Sequence, residues 1–138
     1  ASLAGWIKPA AEPEIAITIA RDVAPGGSRE AAADAILSLT RLGADGACSF
    51  HGVNIGPHLD EADKVRRPFQ VHVGNKDASI KMSEIEATRD AFIGNPQARV
   101  FIYDGAPHGF TGKGRDSYHL VADTASRHAA LSLLSALS

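Results

Sequence analysis

Apolar residues along this chain follow two periods. Ile15-Ala-Ile-Thr-Ile-Ala20 alternates β-branched and small residues and reads as a strand. From Ser28 to Leu42 the positions Ala32, Ala35, Ile36, Leu39 and Leu42 recur at helical spacing, and Gly43 supplies the stop. Gly46 to Phe50 reads as a short buried strand, followed by a polar loop from His51 to Arg67 with one helical turn. Phe69 to Val73 is a third strand, closed by the turn Gly74 to Asp77. Ser83 and Glu86 have capping-box spacing and predict a helix start. That helix carries Ile85, Thr88 and Phe92 and ends at Gly94-Asn-Pro96. Arg99 to Tyr103 is the last strand. The last helix is predicted over His119 to Leu137, with Ala122, Ala125, Ala129, Ala130, Leu133, Leu134 and Leu137 on one face. Upstream, Leu3 to Ile7 reads as a helix end stopped by Pro9 and Pro13.

Strands alternating with helices predict one α/β domain over residues 1–138: a parallel sheet with helices on both faces. The run Ile15 to Ala20 carries no charge, unlike a natural sheet edge, and so predicts a neighbouring strand. That neighbour would come from a segment N-terminal to this chain or from a second polypeptide, which makes homo-oligomerisation one expectation.

Composition narrows the classes. The 138 residues carry a net charge of −2, and Arg66-Arg67 is the only adjacent basic pair, which argues against nucleic acid as a partner. No apolar run approaches the ~20 residues that span a bilayer, and Ala1 to Lys8 lacks the features of a secretory signal. The single cysteine, Cys48, excludes an internal disulfide and fits a reducing, cytoplasmic setting.

Two loops carry the candidate chemistry. Val71-His-Val-Gly-Asn-Lys-Asp77 and Tyr103-Asp-Gly-Ala-Pro-His-Gly-Phe110 each end a strand in turn residues and then present an ionisable side chain. The ends of parallel strands are where open α/β sheets place their sites. An acid followed in sequence by a histidine matches the second half of the nucleophile-acid-histidine order of α/β-hydrolases. Asp77 would then orient the imidazole of His108, and His108 would act as general base and acid. The alternatives are a turn aspartate and a structural loop histidine.

Other candidates read as structural. Cys48 lies inside a strand and predicts a core thiol. Ser28 follows Gly27 at a helix start and reads as an N-cap. His51, His58, Asp60 and Asp63 share a loop, but their spacing matches no metal pattern. Gly26-Gly27 lacks the Lys-Ser/Thr of a phosphate loop. His72 should point to the face opposite Val71 and Val73, and Trp6 and Phe110 read as packing residues, Phe110 beside His108. No metal or organic cofactor is implied.

These residues resemble the dienelactone hydrolase family of α/β-hydrolases, from Ala44 to the C-terminus. Asp45-Gly-Ala-Cys-Ser-Phe-His-Gly-Val53 is similar to the family's strand and Tyr/His-Gly turn. Pro68 to Asp77 resembles its acid-bearing strand, Val100 to Phe110 its histidine loop, and Ser117-Tyr118 the lead into its terminal helix. The histidine loop is the most specific of these. The resemblance implies a partial α/β-hydrolase fold, the C-terminal part of a longer one. It also implies hydrolysis of a small-molecule carboxylic ester or lactone, with Asp77 and His108 at the catalytic positions.

One departure stands out. The family sets Cys, or Ser in relatives, on an elbow Gly-x-Cys-x-Gly-Gly. Here the stretch reads Arg21-Asp-Val-Ala-Pro-Gly-Gly27, with Ala24 at the nucleophile position and Asp22 in place of the first Gly. No nucleophile is identifiable in this chain. The rival expectation is a catalytically inactive binding or scaffold module that keeps the hydrolase core.

Overall fold

A computed structural model describes the backbone of residues 15–19 and the whole of residues 44–137. The helices expected before Pro9 and from Ser28 to Leu42, the elbow Arg21 to Gly27, Trp6 and Ser28 lie outside the described residues. β1 (Ile15–Ile19), β2 (Gly46–Phe50), β3 (Phe69–Gly74) and β4 (Ala98–Tyr103) form one sheet in that order. β2, β3 and β4 run parallel, with Phe50 opposite His72 and His72 opposite Phe101. β2 and β3 lie inside the sheet and are buried along their whole lengths, whereas β4 at the edge is partly exposed.

β1 departs from expectation. It pairs antiparallel to β2, with Ile15 opposite Phe50 and Ile19 opposite Gly46. Alternating β-branched residues specify which face is buried but carry no direction, and a long intervening segment permits either sense. β2, a strand of this same chain, lies on one side of β1, and no described strand covers the other.

Helices cover both faces. A 3-10 helix (Gly56–Lys64) and α1 (Met82–Phe92) pack on one, α2 (Leu120–Ala136) on the other. Because strand side chains alternate, Ala47, Phe69 and Val71 join Ile55, Val65 and Phe92 in the first layer. The Phe69 and Phe92 rings meet edge-on at 5.5 Å, a contact worth ~1 kcal/mol beyond its buried area. Cys48 and Phe50 face Ala130 and Leu133 of α2 in the second layer.

The capping box expected at Ser83 and Glu86 does not form. α1 begins two residues earlier, with Lys81 as an N-cap that makes no side-chain cap bond. The Lys81 carbonyl instead accepts from the Glu84 and Ile85 N–H groups at 2.9 and 3.2 Å. On α2, Ala125 is exposed and the buried face includes Asp123 and Ser126. Helical spacing of apolar residues misses these two because their polar atoms are satisfied locally. Asp123 receives the Arg127 guanidinium and the Tyr118 hydroxyl, and Ser126 donates to the Asp123 carbonyl.

Candidate active site

The C-terminal ends of β2, β3 and β4 share one rim because the strands are parallel. β3 ends at Gly74, where an added Cβ would fall 1.9 Å from the Ala106 carbonyl oxygen. Only glycine lets the acid turn lie against the histidine loop so closely. Two backbone bonds then join the loops: Asn75 N–H donates to the Tyr103 carbonyl at 3.1 Å and Lys76 N–H to that of Ala106 at 3.0 Å. The Asn75 side chain adds two more, donating to Asp104 Oδ1 at 2.7 Å and accepting from the Gly105 N–H at 2.8 Å. Gly74→Ala is therefore expected to cost at least ~2 kcal/mol by overpacking, read as a lower denaturation midpoint. An unchanged midpoint would show that the loops can part freely.

This seam brings Asp77 to His108. Asp77 Oδ2 lies 2.8 Å from His108 Nδ1, with the carboxylate side chain fully buried and the imidazole 20% exposed. The other oxygen, Oδ1, accepts from the Ser79 and Ile80 N–H groups at 2.8 and 3.1 Å. A carboxylate only accepts, so His108 Nδ1 must carry the hydrogen. The neutral ring then holds its lone pair on Nε2. After His108 the chain turns at Gly109, whose φ of +73° lies in the left-handed region that glycine enters without strain. Phe110 is fully buried beneath the loop, against Ala106, Ala122 and Tyr103.

The third strand end contributes a residue that the sequence alone places in a loop. His51 follows β2 directly, is fully buried, and has its ring centroid 5.6 Å from that of His108. Its Nε2 meets the Thr111 hydroxyl at 3.0 Å, and its ring stands edge-on to Phe110 at 4.3 Å. Burial, reinforced by the neighbouring His108, pushes its pKa down to about 4, the Asp77 carboxylate only partly opposing. The signal in the sequence was its position, one residue past a parallel strand end, the same signal that marked the other two loops.

The remaining candidates fall elsewhere. Cys48 faces α2 in the second layer, and burial raises its pKa to about 12, so it carries no thiolate near neutrality. His72 lies on the face opposite Val71 and Val73, as alternation requires. It bonds Tyr103 Oη through Nδ1 at 2.8 Å and Gln70 Oε1 through Nε2 at 3.1 Å, and stacks between Phe50 and Phe101. Among the described residues no group of three or more His, Cys, Asp or Glu side chains could hold a metal, and His58, Asp60 and Asp63 do not join His51.

Three parallel strands with helices on both faces, bearing an acid and a histidine on successive strand ends, match the arrangement of an α/β-hydrolase. Residues 32–138 match the dienelactone hydrolase family, and the chain belongs to it. It is similar to a protein of Azospirillum brasilense provisionally named a carboxymethylenebutenolidase, 28% identical over 80 residues, which are 58% of this chain and 35% of that protein. Among solved structures it is similar to a provisionally named dienelactone hydrolase from Klebsiella pneumoniae, with 29% identity and a TM-score of 0.51 over 56% of this chain and 32% of that one. The chain thus spans about a third of the length of these relatives. No helix among the described residues is long and apolar enough to cross a membrane.

Proposed function

We propose that this chain supplies the acid–base pair of a carboxylic ester or lactone hydrolase, with His108 as the proton carrier and Asp77 as its orienting acid. The observation that carries this reading is the 2.8 Å contact between Asp77 Oδ2 and His108 Nδ1, made by a carboxylate already fixed by two backbone donors. His108 Nε2 takes the proton of the attacking nucleophile as the new bond forms at the acyl carbon. The imidazolium, stabilised by Asp77, then delivers that proton to the departing alkoxide oxygen. Water repeats the cycle through the same nitrogen and releases the acid. The substrate is a small ester or lactone, and the steps draw on no metal, organic cofactor or nucleic acid. The lone, buried Cys48 thiol fits a cytoplasmic setting. The side of β1 that no described strand covers fits pairing with a second copy or a further segment.

Ala24, at the aligned nucleophile position, favours a second reading: a hydrolase-like pocket that binds an ester or lactone without turning it over. Turnover of an activated ester by the full chain and by His108→Ala separates the two. The enzyme reading expects a loss of at least ~10³-fold in His108→Ala. Equal turnover by both proteins would remove the mechanism, and binding without turnover by the unmodified chain would establish the second reading.

A further inference from the structure

His51 is held in place at a cost. Its φ of +56° puts a non-glycine residue in the left-handed region, worth ~1 kcal/mol or more of strain. Its Nδ1 is buried and has no hydrogen-bond partner among the described residues, although a polar atom taken out of water ordinarily has one. Strain and an unpaired buried nitrogen on one residue are features that gather at functional sites rather than in plain cores.

What the residue gains is its place beside His108. The His51 N–H donates to the His72 carbonyl at 2.9 Å, which extends the β2–β3 ladder one step and fixes the backbone. Thr111 Oγ1 fixes the ring, and Thr111 is itself anchored, since the Arg127 guanidinium donates to its carbonyl at 3.3 Å. Arg127 in turn is paired with buried Asp123 on α2. A continuous set of contacts therefore runs from α2 through Thr111 to His51 and ends at the His108 ring.

We propose that His51 is a positioning residue for this site: gripped by Thr111, it braces the His108 imidazole and sets the orientation in which that ring meets Asp77. The proposal rests on the Asp77–His108 reading of the site and adds a third group to it. The titratable and charged groups around His51 are His108 and Asp77 at the loop tips, His72 on β3, and Arg127 reaching Thr111 from α2. A second cation beside His108 would oppose the imidazolium that forms in catalysis, and an uncharged, desolvated neighbour does not.

Histidine-labelled full chain, followed by NMR through a pH titration, tests this without relying on turnover. The readouts are the His108 titration midpoint and the far-downfield proton of its carboxylate-bound Nδ1–H. In His51→Gln, and in Thr111→Val, which keeps the His51 ring but releases it, the midpoint is expected to move by at least about half a unit. The downfield proton should broaden into solvent exchange in both. If either variant keeps its near-ultraviolet dichroism and shows an unmoved His108 midpoint with a sharp downfield proton, the bracing role is overturned. Thr111→Val decides the matter should His51→Gln fail to fold. Asp77→Asn serves as the reference: if it too leaves both signals unchanged, the fault lies with the acid–histidine pair and not with His51.

Discussion

Asp77→Asn is expected to lower ester or lactone turnover by about 10⁴-fold while leaving the fold intact, on the scale seen when a triad carboxylate becomes an amide. The reason lies in how the carboxylate is shared. Ser79 and Ile80 N–H groups both point at Oδ1. An asparagine can satisfy them only with its oxygen, which leaves its NH2 facing His108 Nδ1. That nitrogen must then give up its hydrogen and accept, so the ring proton moves to Nε2, where the nucleophile's proton should arrive. The ring would stay in place and be useless as a base. Steady-state rates together with the ¹⁵N shifts of His108 check both halves of this expectation. A slow variant with an unchanged tautomer would point to some other defect.

Acidification is expected to weaken the fold well before the surface carboxylates titrate. His51 and His72 are both fully buried, and burial pushes each pKa from the usual 6.5 down to about 4, with His108 adding to the effect on His51 and His51 to that on His72. Above about pH 6.5 both rings are neutral whether the chain is folded or not, and they impose no penalty. Between about 6.5 and 4 the unfolded chain binds protons that the folded chain excludes, so stability falls as pH falls. Below about 4 the folded rings protonate as well and the loss levels off. Each histidine contributes ~3 kcal/mol over that window, a large share of an ordinary domain's ~5–15 kcal/mol. Urea unfolding at a series of pH values between 7.5 and 4, as about ten points, would show the slope. His72→Phe should remove roughly half of it, while lowering stability at neutral pH by stranding the Tyr103 hydroxyl and Gln70. A flat curve across the window would mean that the two rings are not held neutral.

Among the described residues, much of this architecture is legible in the sequence. Gly46 to Phe50 is a strand over the predicted range, and β3 and β4 each differ from it by one residue. Such short apolar runs between turn residues leave the chain few other choices. Asp77 and His108 are legible for the same reason, since each follows a strand end at a turn. Three features are not. The direction of β1 cannot be read from alternation. The missed capping box shows that Ser-x-x-Glu spacing competes with whatever the preceding turn does, and here Asp77 organises that turn instead. His51 escaped because a residue at φ +56° beyond a strand looks like the start of a loop, and its partners Thr111 and His108 lie about 60 residues away.

The double duty of Asp77 constrains how this protein can drift. Lengthening the side chain to glutamate would carry the charge past the two amides that shape the path into α1, so local architecture and chemistry would be lost together. Asparagine satisfies the turn yet, on the proposed reading, would silence the imidazole, and serine keeps a single oxygen for two tasks. A lineage that abandoned hydrolysis would still be selected to retain a turn-former at this position. On the proposed acid–base reading, asparagine at the corresponding place in a homologue would mark a site that keeps its turn and has lost its base.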